Sequence, residues 1–232
     1  MMKRMANLLS QITFKWWLLF LFMSQAVYSL MLIYSIPRIS HEAGGLLLFD
    51  MKPLGYSYEY AHQFLSQLSQ KGYELYTHVQ IPLDLLYPVL FCLTGLCTIA
   101  LLFRLEQNMT RHPNATLNSA YTRIAFSIPL VAMFADYLEN ILIFAMLSYQ
   151  TAVPKTLVLA ANGFTLIKSI STAAFYMLVI FLVVRMGLIW IGKMTKGGQT
   201  GGKFWSKGEK SGTFESINNG RNAPTAKNET AQ

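Results

Sequence analysis

The sequence predicts an all-α polytopic membrane protein that folds as a four-transmembrane-helix bundle. Hydrophobic residues make up 53% of the 232 residues and charged residues only 13%, whereas a soluble domain carries about 25% charge. The apolar residues are gathered into long uncharged runs, and Lys and Arg lie at the ends of these runs and in the C-terminal tail. The net charge of +8 therefore indicates membrane flanks, and the pattern excludes a soluble enzyme and most nucleic-acid-binding proteins.

Four apolar runs are long enough to cross a bilayer. The first contains about twenty residues without a charge, which at about 1.5 Å per residue spans a hydrocarbon core of about 30 Å. Pro37 and Arg38 are predicted to end it, and Arg104 is predicted to close the second. The fourth run exceeds one crossing, which a tilt accommodates. The predicted spans cover residues 16–36, 82–103, 124–147 and 157–188.

The first run has an alternative interpretation as a secretory signal peptide. Ser24 and Ala26 have the spacing of small residues at a cleavage site. The run continues to Ile36, however, beyond the candidate cleavage point, and this length favours a membrane span.

Residues 38–80 form the predicted outer loop. Ser57 is expected to cap an amphipathic helix of about four turns, and Gly72 is expected to end it. The helix is predicted to lie along the outer interface or to cap the bundle. Its apolar face would consist of Ala61, Phe64, Leu65 and Leu68. Nearby tyrosines suggest an aromatic belt at headgroup depth: Tyr56, Tyr58, Tyr60, Tyr73, Tyr76 and Tyr87.

The distribution of basic residues predicts the orientation. Lys and Arg are concentrated before the first span, between the second and third, and after the fourth, and such flanks remain in the cytoplasm. We therefore expect both termini in the cytoplasm and the protein in the plasma (inner) membrane. Residues 1–192 form the predicted transmembrane domain, and residues 193–232 a disordered, basic cytoplasmic tail.

Polar residues inside the spans are the candidate functional residues, because charges are costly at bilayer depth. Asp136, Glu139 and Asn140 have i, i+3, i+4 spacing and so share one helix face. Asp136 and Lys168 both lie roughly 16 Å below the outer ends of adjacent antiparallel spans, so an ion pair is predicted. The full candidate polar centre is Asp136, Glu139, Asn140, Lys168, Asp84 and Gln25.

Two interpretations of this centre stay open. In one, Lys168 neutralises one acid, the amides supply hydrogen bonds, and the network only fixes helix packing. In the other, the centre is a binding site in a cavity that opens to the outer face. The surplus acid would then be protonated or matched by a bound cation.

No motif in the sequence predicts a cofactor or a metal ion. The histidines His41, His62, His78 and His112 are scattered, and neither a phosphate-binding loop nor a hydrolase nucleophile motif is present. Cys92 and Cys97 are predicted to be buried as small hydrophobic residues. The segments FDMKPLGYS (residues 49–57) and DYLEN (residues 136–140) have the character of motifs but indicate no particular family.

The leading functional expectation is a non-enzymatic carrier, a channel-like subunit or an accessory protein. One alternative is an intramembrane enzyme acting on a lipid or quinone-like substrate, with Asp84, Asp136 and Glu139 as acid-base groups. Another is a membrane scaffold that binds partners through its outer loop or tail. The expected partners are the lipid bilayer, further copies of the chain in a homo-oligomer and an unidentified small-molecule ligand, but not nucleic acid.

Overall fold

The computed structural model describes residues 14–110 and 120–205, and these residues form helices and connecting loops without a β-strand. Four helical segments are long and apolar enough to cross a membrane. The predicted all-α four-helix bundle is thereby confirmed. These four candidate spans, called spans below, are Phe14–Glu42, Gln70–Thr110, Ala120–Ala152 and Lys155–Met194. The α-helices are α1 (Phe14–Leu30), α2 (Ile36–Glu42), α3 (Tyr58–Gln67), α4 (Gln70–Leu75), α5 (Ile81–Thr110), α6 (Ala120–Tyr149) and α7 (Lys155–Trp205).

The first span does not end at Pro37 and Arg38, so that prediction is wrong. A π-helical turn, Met31–Ser35, follows α1, and α2 then carries the span to Glu42. Pro37 lies in the first turn of α2, where a residue without a backbone N–H is tolerated.

The second span has the same construction and begins earlier than residue 82. It starts with α4, passes through a π-helical turn at Tyr76–Gln80 and continues into α5. The hydroxyl of Ser35 donates a hydrogen bond to the side-chain carbonyl of Gln80. The two π-helical turns are thus joined by a buried hydrogen bond between the spans.

The predicted amphipathic helix is present as α3. Ser57 caps it by accepting a hydrogen bond from the backbone N–H of Tyr60, and Ala61, Phe64 and Leu65 are buried on one face. The expectation that Gly72 ends this helix is wrong. The helix ends at Gln67, and Gly72 lies within α4, whose N-cap is Ser69.

The segment between the first two spans packs into the bundle. Leu48, Phe49 and Phe64 are completely buried there, in one core with Tyr76 of the second span. Tyr56 is also buried, so the aromatic-belt interpretation is wrong for Tyr56 and Tyr76. Apolar burial, which stabilises by about 25 cal/mol per Å², outweighs the headgroup preference of these rings.

The first and second spans lie side by side, as do the second and third. A Cβ atom on Gly95 of the second span would lie 3.2 Å from Pro129 of the third and 3.3 Å from Phe175 of the fourth. Three helices therefore meet at this glycine. Further along the second span, the buried Glu106 forms a 2.6 Å ion pair with Arg185.

The chain divides into two compact units, of which the first reaches Trp190 and the second begins at Ile191. Within the second unit the structure describes helix through Trp205, and the division into a transmembrane domain and a tail at residue 193 stays a prediction. The predicted tail beyond Trp205 lies outside the described residues.

Candidate functional site

Lys168 lies at the centre of a cluster of carboxylates. Its Nζ atom is 3.0 Å from Asp50 Oδ1 and 3.3 Å from Asp136 Oδ1, and it also contacts Glu139 Oε2. The predicted pairing of Lys168 with the acids of the third span is therefore present. An ammonium that bonds three carboxylates uses all three of its donors.

Glu139 is the most deeply buried of these acids. Its side chain is completely buried, whereas that of Asp136 is 14% exposed. The hydroxyl of Thr165 donates a 2.6 Å hydrogen bond to Glu139 Oε1. Thr165 lies one turn before Lys168, so the fourth span supplies both partners of this carboxylate.

Asp50 is a member of the cluster that the sequence analysis missed. It lies in a short 3-10 helix, Phe49–Met51, of the outer segment, and the burial of Phe49 next to it draws it into the bundle. A lone acid flanked by apolar residues (LLLFDM, residues 46–51) was the available signal. Depth counting along helices could not detect it, because a loop has no fixed rise per residue.

The loop after Asp50 is fixed to the fourth span. The backbone N–H of Tyr56 donates a 2.8 Å hydrogen bond to Asn162 Oδ1. Gly55 before it has φ +87°, a conformation that side-chain-bearing residues rarely adopt. The FDMKPLGYS segment thus holds Asp50 at one end and docks onto the fourth span at the other.

Asp84 belongs to the same region but bonds other groups. Its Oδ1 accepts a 3.0 Å hydrogen bond from Gln80 Nε2, and its backbone carbonyl accepts one from Asn140 Nδ2 at 3.2 Å. The same amide of Asn140 lies 3.1 Å from Asp136 Oδ1. Asp84 Oδ2 is buried without a hydrogen-bond partner among the described residues.

A cavity of about 700 Å³ adjoins the cluster. Asp50, Asp84, Asp136 and Lys168 all line it, and so does Gln25, which has no hydrogen bond to the cluster among the described residues. Glu139 and Asn140 are not among its lining residues. The structure therefore separates the predicted polar centre into groups that face the cavity and groups that support them. The apolar and aromatic part of the lining includes Tyr28, Met31, Tyr87, Phe91, Met133 and Tyr176.

The fourth span has a polar face that points into the bundle. Asn162 and Thr165 bond the outer segment and Glu139, while Ser169, Thr172 and Tyr176 line the cavity. This face carries the fourth span's contacts with the cluster, and the opposite side of the helix is apolar and exposed, as at Ile170.

The electrostatics of the cluster are dominated by negative charge. Asp50, Asp136 and Glu139 bring carboxylate oxygens within 4.8 Å of one another, close enough to bind a metal ion, but the Lys168 ammonium already contacts all three. Burial, reinforced by the charge of Glu139, raises the pKa of the nearby Tyr56 phenol well above its ordinary value. That phenol therefore stays neutral at pH 7.

Comparison of the chain with protein-family models, with curated proteins and with solved structures gives no match.

Proposed function

We propose that this chain is a non-enzymatic, multi-pass membrane protein that binds a small molecule in the cavity beside Lys168, as a carrier or as the binding subunit of a channel-like assembly. The observation that carries the proposal is the cavity itself. Its volume of about 700 Å³ falls within the range of about 300–1,000 Å³ that is typical of small-molecule sites.

The composition of the wall supports the same function. Small-molecule sites combine a largely apolar surface with a few convergent polar groups. Here aromatic and methionine side chains supply the apolar part, and Asp50, Asp84, Asp136 and Lys168 supply the polar part. A network that only fixed helix packing would close around its charges and would not leave several of them lining a cavity.

The scaffold alternative receives less support. A partner-binding loop presents large side chains to its surroundings, but the outer segment directs Leu48, Phe49 and Phe64 into the bundle core. The enzyme alternative needs acid-base groups next to a substrate, and Glu139, one of its three predicted acids, does not line the cavity.

We further propose that the protein lies in the plasma (inner) membrane with both termini in the cytoplasm. Four crossings return the chain to the side on which it started. Basic residues at the facing ends of the second and third spans, such as Arg104 and Arg123, favour the cytoplasm for that side. The segment from residue 43 to residue 69 would then lie at the outer face.

Cysteine labelling tests whether the cavity is a solvent-accessible site. In a Cys92→Ala, Cys97→Ala background, Thr172→Cys places one thiol in the cavity wall and Ile170→Cys places one on the exposed apolar side of the same helix. The full chain in lipid nanodiscs is treated with 2-hydroxyethyl methanethiosulfonate, a small neutral reagent. Because thiolates form in water and not in lipid, we expect modification of Thr172→Cys to be about tenfold faster or more.

Equal and slow modification of the two variants would contradict the proposal, because it would show that no aqueous path reaches the cavity. The orientation has its own test in intact cells. A thiol at Ser57 should react with a membrane-impermeant reagent from outside, and one at Thr200 should not. Outside labelling of position 200 would overturn the orientation.

A further inference from the structure

The charges around the cavity do not balance. Lys168 is paired with Asp50, Asp136 and Glu139, so one ammonium already serves three carboxylates. Asp84 faces the same cavity and receives only an amide hydrogen bond at Oδ1. This end of the bundle therefore carries an excess of negative charge, which favours a positively charged occupant.

Asp84 has one carboxylate oxygen that is buried without a hydrogen-bond partner among the described residues. This atom is Oδ2, and the residue is only 5% exposed. A buried polar atom without a partner costs about 1–3 kcal/mol, and that cost is relieved when a bound group pairs with it. Asp84 lines the cavity and forms no salt bridge among the described residues, so it is the acid beside the cavity that lacks a direct counter-charge.

Aromatic rings continue the wall next to Asp84. Tyr28 and Tyr87 stack at 5.5 Å between ring centroids, Tyr87 and Phe91 lie 5.9 Å apart, and Phe91 and Tyr176 lie 6.3 Å apart. All four rings line the cavity. Tyr and Phe faces attract organic cations through their quadrupoles, by about 0.5–2 kcal/mol per contact.

A bare metal ion fits the cavity poorly. The carboxylates that lie close enough to coordinate a metal are Asp50, Asp136 and Glu139, and a metal ion would have to displace the Lys168 ammonium from all three. A volume of about 700 Å³ also suits a molecule of many atoms. The excess negative charge, the aromatic lining and the volume of the cavity all favour an organic cation over a bare metal ion.

We propose that the cavity binds an organic cation, with its positive group at Asp84 and its apolar body against Tyr28, Tyr87, Phe91 and Tyr176. This inference rests on the proposed binding function and specifies the ligand class. Asp50, Asp136 and Glu139 form a separate group, in which all three carboxylates contact the Lys168 ammonium. Asp84 is then the carboxylate that binds the ligand.

Two ions of the same shape and opposite charge test the proposal. Tetraphenylphosphonium and tetraphenylborate are titrated against Thr172→Cys protein in nanodiscs, and protection of the thiol from the neutral reagent is measured. We expect the cation to slow the modification and the anion not to do so. Ile170→Cys measures any effect of the ions on the lipid itself.

Two pairs of variants assign the binding groups in the Thr172→Cys background. Asp84→Asn keeps the shape but removes the charge, and should raise the cation concentration needed for half-protection about tenfold, which corresponds to about 1.4 kcal/mol. Glu59→Gln, at an exposed acid of the outer segment, should leave it unchanged. Tyr87→Leu should weaken protection, whereas Tyr87→Phe keeps the ring and should preserve it, so the test stands even if Asp84→Asn fails to fold.

The outcomes separate the two proposals. If Thr172→Cys reacts readily but tetraphenylphosphonium does not protect it, or the anion protects equally well, the organic-cation inference is overturned and the accessible cavity remains. Unchanged protection in Asp84→Asn also overturns the inference. If Thr172→Cys does not react at all, the proposed binding function itself is wrong.

Discussion

Replacing Lys168 by methionine should destabilise the protein strongly, because the substitution removes the positive charge from a cluster of three carboxylates. Lys168 contacts Asp50, Asp136 and Glu139, and Glu139 is completely buried. Breaking a buried ion pair by removing one partner typically costs about 3–5 kcal/mol. Methionine keeps the unbranched apolar stem, so the loss reports mainly the charge and its hydrogen bonds.

A second estimate of the cost agrees with the first. A carboxylate left without a counter-charge avoids the penalty by taking up a proton. At pH 7, about three units above the ordinary pKa of a carboxyl group, this costs about 1.36 kcal/mol per unit, or about 4 kcal/mol. For a chain of this length such a loss lowers the Tm by about 8–16 °C.

Thermal unfolding of the purified full-length protein measures the effect, and the chain provides a matched control. Lys71→Met breaks the 3.1 Å ion pair with Glu42, in which the Lys71 side chain is 74% exposed, so we expect a loss of about 0–1 kcal/mol. The double variant Lys168→Met, Glu139→Gln should recover part of the larger loss. Equal Tm values for Lys168→Met and the unmodified protein would refute the reasoning and would mean that this ammonium gains nothing from the acids around it.

The remaining predictions concern helix packing and the attachment of the outer segment. Gly163→Ala should be neutral or stabilise the protein by up to about 1 kcal/mol, because the added Cβ would meet open space. Gly95→Ala should not stabilise it, because its Cβ would lie only 3.2–3.3 Å from neighbouring side chains. The difference between the Tm values of the two variants measures this effect. Asn162→Ala removes the acceptor for the Tyr56 N–H and should cost about 1–3 kcal/mol. Proteolysis of the outer segment should become faster in that variant, and an unchanged cleavage rate would contradict the anchoring role.

Helix number and the position of the ion pair could be predicted from the sequence, because both follow from regular geometry. A bilayer fixes the length of an apolar span, and a helix rises by about 1.5 Å per residue. Those two constants placed Asp136 and Lys168 at the same depth, and the structure brings their side chains within 3.3 Å.

The sequence-based predictions fail where contacts between distant parts of the chain determine the backbone conformation or the position of a side chain. Pro37 was expected to end a helix, but after the π-helical turn Met31–Ser35 it occupies a first-turn position that needs no N–H. Asp50 was overlooked because its depth depends on the burial of Phe49 in a loop. Neither feature leaves a periodic pattern in the sequence.

The sequence leaves two interpretations of the polar centre, one in which it fixes helix packing and one in which it binds a ligand. The structure allows different carboxylates to serve these two roles. Three acids contact Lys168 and thereby join the outer segment and the third span to the fourth. These acids serve mainly to hold the structure together. Asp84 accepts a hydrogen bond from Gln80 at one oxygen and has no partner among the described residues at the other, so it is the acid left to pair with a cationic ligand. If this division holds, Asp84→Asn should impair cation binding with little loss of stability, because it removes no ion pair. Lys168→Met should do the reverse: it should lower the Tm, while the protein that remains folded should still bind the cation, because Lys168 forms no ion pair with Asp84.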